Sequence, residues 1–131
     1  MEEKFNKATP QRPAGTRLLD AEIVPVDIEK YVREIVAESA YEQNGKNAIT
    51  VFKSEKVTVT LLALKNEEFF QSLTNEAHSL LSIHVIKGQI TFTVENDSIY
   101  LSENQIVNYH LNLPFTAKAL ADTVCVLTVT K

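Results

Sequence analysis

The side chains of this chain best suited to chemistry are three imidazoles, one thiol and a phenol that directly precedes an imidazole. His78, His84 and His110 are its only histidines, and three neutral imidazoles can in principle hold a divalent metal that keeps an open position. In Tyr109-His110 the imidazole can line a pocket as a hydrogen-bond donor or proton carrier, or serve as a turn residue bonded to nearby backbone. Cys125 is the single cysteine, which excludes an intrachain disulfide and any CxxC motif. It sits within Val124-Cys125-Val126-Leu127, so a buried, inert thiol is expected, since a nucleophile needs exposure and a basic partner. The paired acids Glu2-Glu3 and Glu67-Glu68 stand among polar neighbours and read as solvated charge. With Gly15, Gly45 and Gly88 as the only glycines, the chain has neither a phosphate-cradling loop nor a GxSxG elbow.

The elements that must position these groups come from one domain of 131 residues, 44% hydrophobic and 23% charged, enough to bury a core without staples. A net charge of -4 with scattered Lys and Arg argues against nucleic acid as a partner. No apolar run approaches the roughly 20 residues of a membrane-spanning helix. The start, Met1-Glu2-Glu3-Lys4, has no apolar core of a secretory signal. A cytoplasmic protein without membrane association is expected.

Residues 1–16, with Pro10, Pro13 and Gly15 among polar neighbours, predict an arm that is flexible or ordered by a partner subunit. From Asp27 to Asn44 the positions Ile28, Tyr31, Val32, Ile35 and Val36 recur at helical spacing, predicting one amphipathic helix capped by Asp27 and ended by Gly45. Beyond Gly45 the period falls to two. Strands are predicted near Ala48 to Lys53, Lys56 to Leu64, Leu80 to Ile86, Gln89 to Glu95, Ile99 to Leu101, Gln105 to Tyr109, Phe115 to Leu120 and Thr123 to Thr130. Turns are expected at Ser54-Glu55, Lys87-Gly88, Asn96-Asp97, Glu103-Asn104 and Ala121-Asp122, which implies an antiparallel sandwich or barrel. Glu67 to Leu81 suits either period and is read as a short strand followed by a long loop.

Several separated blocks then stand in a familiar order: Arg17-Leu18-Leu19-Asp20-Ala21, the helix after Val26-Asp27, Lys46 to Lys53, Leu61 to Leu64, Leu81 to Ile90, His110 to Pro114 and Val126 to Val129. Over roughly residues 17–130 they make the chain resemble a group of small single-domain bacterial cupins. The resemblance implies an all-β, RmlC-like cupin jelly-roll barrel (a double-stranded β-helix) over residues 17–131, with one N-terminal α-helix and an extended arm over residues 1–16. Cupins typically hold a divalent metal on three histidines and a glutamate, a donor set that suits Fe, Mn, Ni, Zn or Cu. Counted back from Gly88, the glutamate position of that pattern falls on Leu81 and the leading histidine on Asn75, or on Leu73 when counted from Leu64. In the second motif Asn104 stands for glycine, His110 for proline and Phe115 for the metal-binding histidine. The resemblance thus implies the fold together with a degenerate metal site, with no metal and no other cofactor.

If Leu81 points into the barrel, His84, three residues on, points out, as a packed or interface histidine. His78 could reach the barrel mouth from its loop. Phe115, Leu81 and Phe92 either fill the interior or leave a hydrophobic pocket for a small apolar ligand, with Asn75, His110 or Tyr109 as polar contacts. The candidate ligand-binding set is therefore Asn75, His78, Leu81, Tyr109, His110 and Phe115, with no catalytic residue assigned. A non-catalytic binding or structural module is the first reading. The alternatives are a metal-dependent cupin enzyme of oxygenase or isomerase type on His78, His84 and His110, and a metal-free isomerase or lyase working through His110 and Tyr109. A homodimer is expected, with Phe5 to Ile23 placed to clasp the second copy.

Overall fold

Period-two patterning governs the structure, a computed structural model that describes residues 3–6, 17–72 and 78–131. Two short strands, β1 (Lys4–Asn6) and β2 (Arg17–Asp20), pair antiparallel. The Arg17 guanidinium donates from Nη2 to the Thr50 carbonyl, 2.8 Å away, and so ties this ribbon to the next strand, β3 (Lys46–Lys53). Next come β4 (Val57–Leu64), β5 (Phe69–Ser72), β6 (Leu80–Lys87), β7 (Gln89–Val94), β8 (Asp97–Ser102), β9 (Ile106–His110), β10 (Phe115–Ala119) and β11 (Thr123–Thr130). One sheet has the order β3-β4-β11-β6-β9 and the other β5-β10-β7-β8, and every pairing is antiparallel.

The two sheets enclose the barrel core. Leu81, Ile83 and Val85 of β6 meet Ile90 and Phe92 of β7, Leu101 of β8, Phe115 and Ala117 of β10 and Cys125 of β11. Each set alternates with outward residues, as a pleated strand requires. On the outside of the larger sheet a second core forms, in which Ile49, Val51, Leu61, Ala63 and Val124 are covered by the helical segment through Ile35. Leu61 to Leu64 are consequently buried on both faces, which explains why this stretch is apolar without alternation.

The one helix predicted over Asp27 to Asn44 is in fact two, α1 (Ile28–Ala37) and α2 (Ser39–Asn44), with Glu38 extended between them at φ -76° and ψ 148°. The break has a tertiary cause. Buried Asn47 on β3 donates from Nδ2 to the Ile35 carbonyl at 2.9 Å and to Glu38 Oε1 at 2.7 Å. Ile35 O is the acceptor that the Ser39 N–H would use in a continuous helix. Both predicted ends hold: Asp27 Oδ1 accepts from Lys30 N at 3.2 Å, and Gly45, at φ 74°, donates from its N–H to the Tyr41 carbonyl at 2.9 Å.

The predicted strands form with ends shifted by one or two residues, and the Asn96-Asp97 turn moves to Glu95-Asn96, leaving Asp97 in β8. The short strand expected after Glu67 is β5; most of the loop predicted to follow it lies outside the described residues. The Lys87-Gly88 turn needs its glycine twice over. Gly88 has φ 92°, and a Cβ there would run into the Thr123 hydroxyl and the Asp122 carbonyl.

Asn47→Ala removes the donor that Ile35 O and the Glu38 carboxylate share, and should cost about 1–3 kcal/mol of stability, as expected for the loss of buried hydrogen bonds. Urea unfolding with an unchanged slope would measure it, and a loss below about 0.5 kcal/mol, the level of an ordinary surface change, would contradict the assigned role.

Candidate functional site

Inside the barrel the side chains leave a partly open cavity of about 230 Å3 between the two sheets. Its wall is mainly hydrocarbon. Leu81 at the start of β6 and Phe115 at the start of β10 face it from opposite sheets, and Leu111, just past β9, closes one side. Leu127 and Val129 extend from β11, Phe70 from β5, and the hydroxyl residues Thr60 and Ser72 complete the lining. Alternation places Thr60 inside, because it shares its face of β4 with Leu62 and Leu64, which pack in the interior with Ala119.

Phe115 is the hub of an aromatic cluster. Its ring stacks on Phe92 with centroids 5.2 Å apart at 23°, meets Phe70 edge to face at 5.7 Å and 81°, and meets Tyr109 at 6.4 Å and 74°. Phe115 is only 6% exposed and Leu81 only 3%. Edge-to-face and offset contacts of this kind add roughly 0.5–1.5 kcal/mol per pair beyond area burial, so the cluster holds the cavity wall in place.

Of the six sequence-selected residues, the structure brings Leu81 and Phe115 together in the cavity wall. Tyr109 turns its ring into the core against Phe92 and Phe115, behind the wall. Its hydroxyl donates to the Leu113 carbonyl at 3.0 Å and accepts from the Leu113 N–H at 3.1 Å, which fixes the loop after β9 rather than facing a ligand. His110 is exposed and pairs across the ladder with Leu80. Since Tyr109 faces inward, its neighbour on the strand must face outward. His78 is exposed in a turn at φ 72°, outside the lining. Asn75 and Leu73 lie outside the described residues.

His84 stands on the outer face of the larger sheet, paired with Ile106 on one side and Val126 on the other, as its three-residue offset from Leu81 requires. Among the described residues no group of three or more His, Cys, Asp or Glu side chains is placed to share a metal ion. A second depression of about 250 Å3, lined by Ile28, Val32, Ile86 and Val124 with Glu29, Arg33 and Lys87 alongside, lies outside the barrel between α1 and the sheet.

The cavity residues not selected from sequence are Thr60, Phe70, Ser72, Leu111, Leu127 and Val129. Period-two counting along β4 and β11 could have found Thr60, Leu127 and Val129. Phe70 and Ser72 carried no such signal, because Glu67 to Leu81 fits two periods equally well.

The antiparallel double sheet around this cavity is the cupin fold, in its RmlC-like jelly-roll form. The chain is similar to an RmlC-like cupin protein from Desulfovibrio desulfuricans, with TM-score 0.62 and 16% identity over 69% of this chain and 86% of that one. A cupin superfamily protein from Desulfitobacterium hafniense gives TM-score 0.58 and 14% identity over 66% and 77% of the two chains. The cupin domain of an XRE family transcriptional regulator from Enterobacter cloacae gives TM-score 0.58 and 16% identity over 65% and 94%. At these identities the similarity establishes the fold alone. No protein-family model and no curated protein sequence matches the chain.

Cys125 lies fully buried in the barrel core, and burial pushes its thiol up to about 12. Ionisation is therefore opposed in the folded chain and free in the unfolded one, so this group's contribution to stability is complete below about pH 9 and is lost as pH rises toward 12. The native protein should resist an aromatic disulfide reagent at pH 8 and react with one equivalent after unfolding in urea. Rapid reaction of the native thiol would contradict its burial.

Proposed function

We propose that this chain is a non-catalytic cupin that binds a small apolar molecule inside its barrel and lacks the metal site usual in such barrels. The observation that carries the reading is that Leu81 and Phe115, at two positions where the cupin pattern keeps metal ligands, line the same cavity with hydrocarbon. A divalent ion needs imidazole, carboxylate or thiolate donors, and the described residues of this wall offer two hydroxyls. The outward position of His84 also keeps the three histidines from converging inside the barrel. Among the described residues the donors do not fit the metal that the fold usually carries, and no arrangement of them supports the altered-histidine enzyme. With the Tyr109 hydroxyl committed to Leu113, an acid-base pair of Tyr109 and His110 has no support either.

We propose further that the protein works in the cytoplasm as a homodimer. Among the described residues no helix is long and apolar enough to cross a membrane. The β1–β2 ribbon leaves Phe5 exposed, and Ile23 just beyond it is exposed as well, apolar surface that a second copy would cover.

Elemental analysis of untagged protein, followed by add-back of Mn, Fe, Ni, Cu and Zn, should find no stoichiometric metal. One equivalent retained by the native protein and lost in His110→Ala would overturn the reading. Toluene should raise the unfolding free energy by about 1.4 kcal/mol at ten times its Kd, the linkage expected for a ligand that binds only the folded chain. Light scattering of the purified chain should give the mass of a dimer, and a monomer at all concentrations would remove the assembly proposed here.

A further inference from the structure

We infer that the ligand of the barrel cavity is a neutral aromatic molecule of one ring or two fused rings, carrying a single hydrogen-bonding group that Thr60 meets. This assignment rests on the reading of the barrel as a ligand pocket and adds a chemical class to it.

Charge is excluded first. Among the described residues the lining contains no ionised side chain, and an ionic group taken from water into such a wall would lose its hydration without gaining a counter-ion, a cost of several kcal/mol. Size follows. A dry cavity of about 150 Å3 lined by Leu, Ile and Phe admits benzene, so the 230 Å3 here has room for a substituted benzene or a bicycle. Shape points to a ring. Phe70 and Phe115 both line the space and meet each other edge to face at 81°, presenting two aromatic surfaces at nearly a right angle. A planar guest can stack on one and direct its edge at the other.

The polar partner is chosen among the hydroxyls of the described residues near the cavity. The Tyr109 hydroxyl is held by Leu113 in both directions, and Ser72 sits at the last residue of β5, at the edge of the lining, next to residues outside the described set. Thr60 lies in mid-strand on β4, opposite Leu127 of β11, and both residues line the cavity. Its hydroxyl can donate to or accept from one group on the guest. More than one or two polar atoms on the guest would meet only hydrocarbon.

The experiment is a methyl-NMR titration of the full chain with phenol, cyclohexanol, toluene and benzoate, following Leu81 and Leu127. Phenol should shift both residues and bind roughly 2- to 10-fold more tightly than cyclohexanol, the ratio expected for one added aromatic pair. It should exceed toluene by a similar factor of about 2 to 10 from one hydrogen bond, and benzoate should produce no shift. Thr60→Val should erase the advantage of phenol over toluene and keep its advantage over cyclohexanol. Phe115→Leu should erase the second advantage, with Phe70→Leu giving the same comparison if the first variant fails to fold. Equal affinity for cyclohexanol and phenol, or benzoate binding as tight as phenol, overturns the aromatic or the neutral assignment while the pocket stands. No shift with any of the four probes overturns the pocket and this inference together.

Discussion

Strand β11 joins two hydrophobic cores, and the remainder of the structure hangs on its pairing with β4 and β6. One face of this central pair sends Cys125, Leu127 and Leu62 into the barrel; the other sends Val124, Leu61 and Ala63 under the helices. Because side chains alternate strictly, a slip of one residue would exchange the two sets and expose both cores at once. The antiparallel ladder from Thr123↔Leu64 to Thr130↔Val57 is therefore held by packing on both sides as well as by its hydrogen bonds. It also places Thr60 and Leu127 opposite one another, which is how the cavity acquires a hydroxyl within an aliphatic wall.

The interior chemistry follows from the hydrocarbon at its wall. Leu81 and Phe115 bring no charge into a low-dielectric space, and the aromatic contacts of Phe115 with Phe92, Phe70 and Tyr109 order the wall. Four rings do not tile a barrel of this width completely, so a cavity remains. The same cluster draws Tyr109 away from chemistry: its ring is a packing element and its hydroxyl a clamp on Leu113.

The strands were legible because burial on one face writes a period of two into the sequence, and the positions of β6, β9, β10 and β11 followed from it to within a residue or two. The outward turn of His84 was legible for the same reason, being fixed by parity relative to Leu81. The single long helix was an error of a different kind. Its periodicity runs through Glu38 without a break, and the interruption comes from Asn47, nine residues away in sequence and brought back by the β3 strand. Likewise Tyr109 and His110, adjacent and both chemically promising, form no pair, because pleating sends them to opposite sides.

From the sequence by itself came the all-β class, the resemblance to cupins and the hydrocarbon character of Leu81 and Phe115, since composition and alternation are local properties that survive without coordinates. Tertiary structure alone decided that Leu81 and Phe115 face the same space, that a cavity is left between them, and that Thr60 and Phe70 share its wall. Residual volume and the meeting of β4, β5, β6 and β10 depend on how whole side chains pack across two sheets, a long-range quantity that no single strand's pattern contains.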